Sequence, residues 1–201
     1  MALLVLLAII LPNITRKTMD RSSLFKGPPV GLGTWQMGER SSAAASEVTA
    51  IRHALERGIR LIDTAEMYAD GESERRVGEA LKHWSSARRE EITLVTKVLP
   101  HNASRSGTVR ACEDSLRRLG VDYVDVYLLH WQGSHPFEQT LEAFTTLRER
   151  GLIHHWGVSN FDVAPLKRWL DTEARMGLRT SDTETCATNQ VYYSLLARGP
   201  E

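Results

Sequence analysis

The chain has 201 residues, of which 42% are hydrophobic and 25% are charged, values that are ordinary for a globular domain. Lys and Arg together number 25, as do Asp and Glu, so the formal net charge is zero and nothing attracts the chain to nucleic acid or anionic lipid. Small molecules are therefore the expected partners. The two cysteines, Cys112 and Cys186, have no CxxC spacing, which favours free thiols in a reducing compartment such as the cytoplasm.

The first segment, from Ala2 to Leu11, is an unbroken apolar run that ends at Pro12. It is too short to span a bilayer, which takes about 20 apolar residues. No Lys or Arg precedes it and no clear small-x-small cleavage site follows, as a secretory signal requires. We interpret residues 1–26 as an extension outside the folded domain and expect no membrane partner. A genuine signal or anchor, or a natural start at Met19, stays an alternative.

From Gly27 onward, short apolar runs alternate with longer amphipathic stretches at intervals of roughly 30 residues, the size of one βαβ step. The predicted strands are Pro29–Trp35, Arg60–Thr64, Ile92–Val98, Val124–His130, His154–Ser159 and Ala187–Tyr192. The predicted helices are Ala45–Arg57, Ser73–Trp84, Thr108–Leu119, Phe137–Arg150 and Val163–Met176. Ser73 is the candidate N-cap of its helix. Glycines follow four of the helices, where a left-handed C-cap favours them: Gly58, Gly120, Gly151 and Gly177.

This alternation predicts a parallel sheet covered by helices, either an open doubly wound sheet or a closed (β/α)8 TIM barrel. Polar residues stand at or just after the C-terminal ends of five successive strands: Asp63, Lys97, His130, Asn160 and Gln190. In a barrel these ends meet at one mouth, whereas an open sheet concentrates its contacts at one crevice. The pattern therefore favours the barrel. Because eight units typically need about 250 residues, residues 27–201 are expected to form an incomplete barrel domain of a longer enzyme.

Four groups at this mouth are suited to carbonyl chemistry. Asp63 and Lys97 end two strands, Tyr68 lies in the loop after the first of them, and His130 ends a third. A phenol is a weak acid with a pKa near 10, and a nearby ammonium lowers that value while a carboxylate orients the ammonium. An imidazole beside the phenol orients a carbonyl oxygen. Such a cluster can protonate a carbonyl oxygen as hydride arrives at carbon.

Several motifs, in this order, resemble the aldo-keto reductase family: Gly31-Leu32-Gly33-Thr34-Trp35, Leu61-Ile62-Asp63-Thr64-Ala65-Glu66-Met67-Tyr68, Thr96-Lys97, Leu129-His130-Trp131, Gly157-Val158-Ser159-Asn160-Phe161 and Asn189-Gln190-Val191. The resemblance implies a barrel that binds NADP(H), with NAD(H) not excluded, and reduces a small carbonyl substrate. It implies Tyr68 as proton donor with Asp63, Lys97 and His130. It implies cofactor contacts by Thr34, Asp63, Ser159, Asn160 and Gln190, a substrate pocket walled by Trp35 and Trp131, and no metal.

Two other functions remain open at this stage. A cofactor-binding regulatory subunit would share the barrel without turning over a substrate. A lyase or isomerase would use Lys97 as a Schiff-base amine, which requires an amine free of Asp63. A monomer is expected. A third alternative is that this chain is an inactive fragment, because the barrel is incomplete.

Overall fold

The computed structural model describes residues 27–179 and 186–199, so the apolar leader lies outside the described residues. Six strands are present in this part: β1 Gly31–Gly33, β2 Leu61–Asp63, β3 Thr93–Val98, β4 Val124–Leu129, β5 Ile153–Ser159 and β6 Asn189–Gln190. They form one sheet in sequential order, and every neighbouring pair is parallel. A doubly wound sheet reverses its strand order, whereas a barrel wall does not. The predicted incomplete (β/α)8 barrel is therefore confirmed.

Helices connect the strands, as predicted from the amphipathic stretches. They are α1 Ala44–Glu56, α2 Glu72–Leu81, α3 Ser86–Arg89, α4 Arg105–Leu119, α5 Phe137–Glu149 and α6 Val163–Arg175. Short 3-10 helices lie at Ser41–Ala43, Tyr68–Gly71 and Pro100–Asn102. The sequence pattern did not predict α3, which has only one turn. Helix α4 begins at Arg105 rather than at Thr108, because Ser104 caps it by accepting a hydrogen bond from the Gly107 amide at 3.1 Å.

The prediction that Ser73 caps α2 is wrong. The helix begins at Glu72, and its N-cap is Gly71, whose φ of 84° is left-handed. Ser73 therefore lies inside the first turn, where its fully buried hydroxyl contacts the first strand instead of a helix amide. In contrast, the glycines predicted to follow the helices all have positive φ, as a left-handed C-cap requires.

Hydrophobic residues bury both faces of the sheet. The larger cluster lies between the sheet and the helices and includes the fully buried aromatic rings of Tyr127, Phe144, Trp156 and Trp169. A smaller cluster lies on the inner face of the sheet, formed by Leu61, Val95, Val126, Leu128 and Ala187. Because side chains alternate along a strand, Val95 and Lys97 of β3 share this inner face. The packing thus directs Lys97 into the barrel.

One close approach between helices depends on a glycine. A Cβ atom added to Gly78 of α2 would lie 2.7 Å from the main-chain oxygens of both Arg118 and Leu119, at the end of α4. Only a residue without a side chain allows this contact, which brings α2 against α4. Along the described ranges, no helix is long and apolar enough to cross a membrane.

Candidate active site

A buried ion pair occupies the ends of the second and third strands. The Lys97 ammonium donates a 2.8 Å hydrogen bond to the Asp63 carboxylate and a second one, also of 2.8 Å, to the main-chain oxygen of Thr64. Lys97 is 1% exposed and Asp63 is 3% exposed. The pair therefore lies in a low-dielectric environment, in which each charge depends on the other.

Tyr68 reaches this pair from a strained loop. Its hydroxyl lies 3.4 Å from the Lys97 ammonium, and the same ammonium lies 5.1 Å from the centre of its ring. Ala69 and Asp70, which follow it, have φ values of 49° and 51° and are left-handed, as is Gly71. A left-handed residue other than glycine costs about 1–2 kcal/mol, so contacts elsewhere must hold this loop in place.

His130 lies next to Tyr68. The centres of the Tyr68 and His130 rings are 5.8 Å apart with an interplanar angle of 75°, an edge-to-face arrangement. The main chain of His130 is held from both sides, because its amide donates to Val98 and its carbonyl accepts from the Asn160 amide group. Among the described residues, the buried Nδ1 atom of His130 has no hydrogen-bond partner. The four predicted catalytic side chains thus lie together at one mouth.

Burial dominates the electrostatics of this cluster. It raises the pKa of the Tyr68 phenol above its ordinary value, because the cost of desolvation exceeds the lowering by Lys97. Burial alone would lower the pKa of Lys97, but the Asp63 carboxylate and the Tyr68 oxygen raise it above its ordinary value. Burial and the Lys97 charge together lower the pKa of His130 to about 3.

These directions correct one sequence-based expectation. The ammonium does lower the pKa of the phenol, as expected, but this contribution is smaller than the effect of burial. Near neutral pH the cluster therefore contains a protonated phenol, a charged ammonium and a neutral imidazole.

A second cluster of polar residues lies at the C-terminal ends of β5 and β6. The Ser159 hydroxyl donates to the Gln190 main-chain oxygen at 2.9 Å, and the Asn160 side chain donates to the Ser159 hydroxyl at 3.2 Å. Asn160 is left-handed, with φ of 57°, and its amide group also donates to the His130 carbonyl at 3.1 Å. The buried Gln190 Oε1 atom has no partner among the described residues. This site therefore offers an unpaired acceptor next to the catalytic cluster.

Thr34 is placed differently from the other predicted cofactor contacts. It is fully buried, and its hydroxyl donates to the Asp63 main-chain oxygen at 3.0 Å. The Ser73 hydroxyl approaches the same Thr34 hydroxyl at 2.7 Å. Because no Thr34 atom reaches the surface of the mouth, the structure supports a role in holding the strand ends rather than a direct cofactor contact.

The two predicted pocket tryptophans are not core residues. Trp35 is 52% exposed and Trp131 is 37% exposed, while the ring of Trp131 lies 4.7 Å from that of His130. Trp35 also lines a cleft of about 310 Å³ after β1. A larger cleft of about 410 Å³ lies beside Asn160. Asp63, Tyr68, Lys97 and His130 are not among the residues that line these two clefts.

One contact of this region was missed by the sequence reasoning. A Glu66 carboxylate oxygen accepts hydrogen bonds from the Leu99 amide at 2.6 Å and from the Asn102 side chain at 3.1 Å. It thereby ties the loop that carries Tyr68 to the loop after β3. Nothing in the local pattern around Glu66 indicates partners so distant in the chain. No group of three or more residues suited to hold a metal ion occurs in the described part of the chain.

A family model described as the Aldo/keto reductase family matches residues 29–201, which confirms the resemblance. The chain belongs to this family. It is 49% identical over 175 residues to the methylglyoxal reductase YeaE of Escherichia coli (strain K12), a match that covers 87% of this chain and 57% of that protein. It is 40% identical over 146 residues to the aldo-keto reductase YhdN of Bacillus subtilis (strain 168), covering 67% of this chain and 44% of that protein.

Solved structures of the family share the fold. An aldo/keto reductase from Klebsiella pneumoniae, solved in complex with NADP and acetate, aligns with a TM-score of 0.70 at 47% identity and covers 81% of this chain and 53% of that one. A Bombyx mori aldo-keto reductase in complex with NADP aligns with a TM-score of 0.64 at 28% identity, covering 80% of this chain and 53% of that one. The chain thus spans about half the length of the family members that it matches.

Proposed function

We propose that this aldo/keto reductase chain belongs to an NADP(H)-dependent enzyme that reduces small aldehydes or ketones to alcohols, with Tyr68 as the proton donor. The observation that carries the proposal is the position of the Tyr68 hydroxyl, 3.4 Å from the buried Lys97 ammonium and beside the His130 ring. A protonated phenol next to a fixed positive charge is suited to give its proton to an oxygen that becomes negative.

The polar cluster at the ends of β5 and β6 fits a nicotinamide cofactor. The buried Gln190 Oε1 atom, which has no partner within the described part of the chain, is an acceptor for a primary amide, and the Ser159 and Asn160 side chains add further polar atoms beside it. The relatives from Klebsiella pneumoniae and Bombyx mori were solved with NADP. When bound, the cofactor supplies the hydride. We therefore assign the carboxamide contacts to these three residues and keep NAD(H) as the alternative.

Each member of the catalytic cluster has a distinct role in proton transfer. Tyr68 holds the proton, because its raised pKa keeps the phenol neutral at physiological pH. Lys97, kept charged by Asp63, stabilises the phenolate that remains after the proton has left. His130, whose pKa is lowered to about 3, is neutral and serves as a hydrogen-bonding group that orients the carbonyl oxygen.

Small dicarbonyl compounds are the proposed substrate class. The Escherichia coli relative with 49% identity is named a methylglyoxal reductase. We assign the exposed rings of Trp131, which lies next to the His130 ring, and of Trp35, which follows β1, as flat apolar walls for a small uncharged carbonyl compound. Tyr68 then protonates the oxygen of one carbonyl group, and the product is a hydroxy-carbonyl compound.

The Schiff-base alternative requires an uncharged Lys97 amine. The 2.8 Å contact with Asp63 and the raised pKa of Lys97 both favour the charged ammonium, which has no lone pair for attack on a carbonyl. Reduction is therefore the better supported chemistry. A cytoplasmic location and a monomeric state stay predictions.

The test is the loss of NADPH absorbance with methylglyoxal. The 201-residue chain is assayed beside a chimera in which the C-terminal region of the Escherichia coli relative, beyond the matched part, is appended. Each protein has a Tyr68→Phe variant as its control, and NADPH binding is measured by fluorescence in all of them. We expect turnover in the chimera and a loss of at least about a thousandfold in its Tyr68→Phe variant, with NADPH binding retained.

Two results would contradict the proposal. If the Tyr68→Phe chimera turns over at the normal rate, Tyr68 is not the proton donor. If the chimera is folded and binds NADPH but reduces none of a panel of small aldehydes and dicarbonyls, the regulatory-subunit alternative replaces the enzyme.

A further inference from the structure

Three fully buried hydroxyl groups adjoin the Asp63–Thr64 segment that binds Lys97, and none of them has a role in the proton transfer proposed above. They belong to Thr34 after β1, Thr64 after β2 and Ser73 in the first turn of α2, and each residue is 0% exposed. The Thr64 and Ser73 oxygens are 3.2 Å apart, the Ser73 and Thr34 oxygens are 2.7 Å apart, and the Thr34 oxygen is 3.0 Å from the Asp63 main-chain oxygen. We call these three residues the hydroxyl chain.

The protons of the hydroxyl chain can be placed in one consistent direction. A hydroxyl donates once and accepts up to twice. If Thr64 donates to Ser73, Ser73 donates to Thr34, and Thr34 donates to the Asp63 carbonyl, each proton is used once. The hydroxyl chain therefore ends on an acceptor that has no proton to give, and all three buried groups are satisfied.

The two ends of the hydroxyl chain hold the acceptors of Lys97. Asp63 supplies the carboxylate and Thr64 supplies the main-chain oxygen to which the ammonium donates, each at 2.8 Å. One end of the hydroxyl chain is the Thr34 hydroxyl, which donates to the Asp63 main-chain oxygen, and the other end is the side chain of Thr64 itself. The hydroxyl chain consequently limits how far the Asp63–Thr64 segment, and Lys97 with it, can move.

The middle of the hydroxyl chain holds the loop that carries Tyr68. Ser73 follows the left-handed residues Ala69, Asp70 and Gly71, and its hydroxyl donates its one proton to the Thr34 hydroxyl at 2.7 Å, with the Thr34 main-chain oxygen 2.9 Å away. This contact fixes the start of α2 to the first strand. The loop is thus anchored to β2 at one end and, through Ser73, to β1 at the other.

We propose that Ser73 is a positioning residue that sets the distance between the Lys97 ammonium and the Tyr68 hydroxyl, acting through Thr34 and Thr64. The inference rests on the proposed role of Tyr68 as proton donor. Ser73 and Thr34 are both 0% exposed, so we expect their replacement to slow the chemical step without weakening NADPH binding.

The test compares Ser73→Ala, Thr34→Val and the double variant in the chimera. Because a displacement of about 1 Å in a catalytic group costs up to about a hundredfold in rate, we expect each single variant to lower kcat by about ten- to a hundredfold. The dissociation constant for NADPH and the KM for methylglyoxal stay within about twofold. The two changes break one chain, so the double variant is expected to be no slower than the slower single variant.

Thr140→Val is the matched control. Thr140 is 1% exposed, and its hydroxyl donates to the Ala103 main-chain oxygen at 2.8 Å, in the loop after β3 and outside the hydroxyl chain. It therefore loses a comparable buried hydrogen bond without touching the hydroxyl chain. We expect its kcat to stay within about twofold of the parent value, because a lost buried hydrogen bond alone affects stability rather than chemistry.

A second readout does not need turnover. The pKa of Tyr68 is followed by NMR with ring-labelled tyrosine in the 201-residue chain, and its signal is assigned by comparison with Tyr68→Phe. Since Lys97 lowers the pKa of this phenol, loosening their contact in Ser73→Ala or Thr34→Val is expected to raise it further, and Thr140→Val leaves it unchanged.

The proposal is overturned if both folded single variants keep the parent kcat and the parent pKa of Tyr68. It is also overturned if Thr140→Val slows turnover as much as they do, or if NADPH binding weakens in proportion to kcat. A normal rate in Tyr68→Phe would instead refute the proposed proton donor, and the tyrosine titration would then decide on positioning by itself. If Ser73→Ala does not fold, Thr34→Val, which keeps the side-chain volume, carries the test.

Discussion

Replacement of Lys97 by methionine is the sharpest perturbation of the buried ion pair. Methionine has nearly the length of lysine and no charge, so the variant fills the space but leaves the Asp63 carboxylate, 3% exposed, without its ammonium partner. Breaking a buried pair from one side costs about 3–5 kcal/mol in the free energy of unfolding. For a domain whose total stability is about 5–15 kcal/mol, this is a large fraction.

The double variant Asp63→Asn with Lys97→Met distinguishes the stability cost of an unpaired buried charge from the cost of altered packing. With both charges removed, no carboxylate is left buried and unpaired. The double variant is therefore expected to be more stable than the sum of the single effects implies, with a coupling energy of about 1–3 kcal/mol. Turnover is expected to be abolished both in Lys97→Met and in the double variant, because the ammonium beside Tyr68 is absent from both.

Urea unfolding at pH 7, followed by circular dichroism, measures these free energies for the parent, both single variants and the double variant. A cost below about 1 kcal/mol for Lys97→Met would refute the reasoning, since surface substitutions have effects of that size. Strict additivity of the two changes would refute it as well. Additivity would mean that two residues in direct contact at 2.8 Å have no interaction energy.

Two further predictions concern pH and packing. Because the pKa of His130 is lowered to about 3 while an unfolded histidine titrates near 6.5, the unfolded state binds more protons between these values. The stability that His130 contributes is thus complete above about pH 6.5 and is lost as the pH falls toward 3. Between these pH values the urea midpoint of the parent should therefore fall more steeply than that of His130→Gln. Parallel plots of midpoint against pH for the two proteins would contradict this. Gly78→Ala is expected to cost about 1–3 kcal/mol in the same assay, because the new methyl group meets main-chain atoms at 2.7 Å. Gly199→Ala, whose new methyl group would meet no atom within 4 Å, is the control and should be neutral; equal effects at both positions would rule out the steric explanation.

Sequence periodicity predicted most of the fold. The alternation of apolar runs and amphipathic stretches follows from local rules, since a strand buries every second residue and a helix buries one stripe. It therefore located five of the helices and all six strands of the described part. It missed α3 because a single turn, Ser86–Arg89, has no periodicity of its own. It shifted the start of α2 because Ser73 has the residue type of an N-cap but is the second residue of the helix.

The positions of the predicted strand ends in the sequence indicated which side chains lie together at the mouth of the barrel. Parallel strands of one barrel end on the same side, so Asp63, Lys97 and His130 could be grouped from their places in the chain alone. The identity of each residue also indicated its chemistry. Both arguments use only the order of residues and the geometry of a single βα unit.

The tertiary structure determined how deeply each functional group is buried, and with it the direction of its pKa shift. Burial depends on contacts between distant parts of the chain, such as Ser73 with Thr34, and no local pattern encodes them. For that reason the direction of the pKa shift of Tyr68, and the loss of Thr34 from the mouth, followed only from the folded chain. The sequence determined which groups meet at the mouth of this barrel, and the packing around them determined their protonation and which of them can touch a ligand.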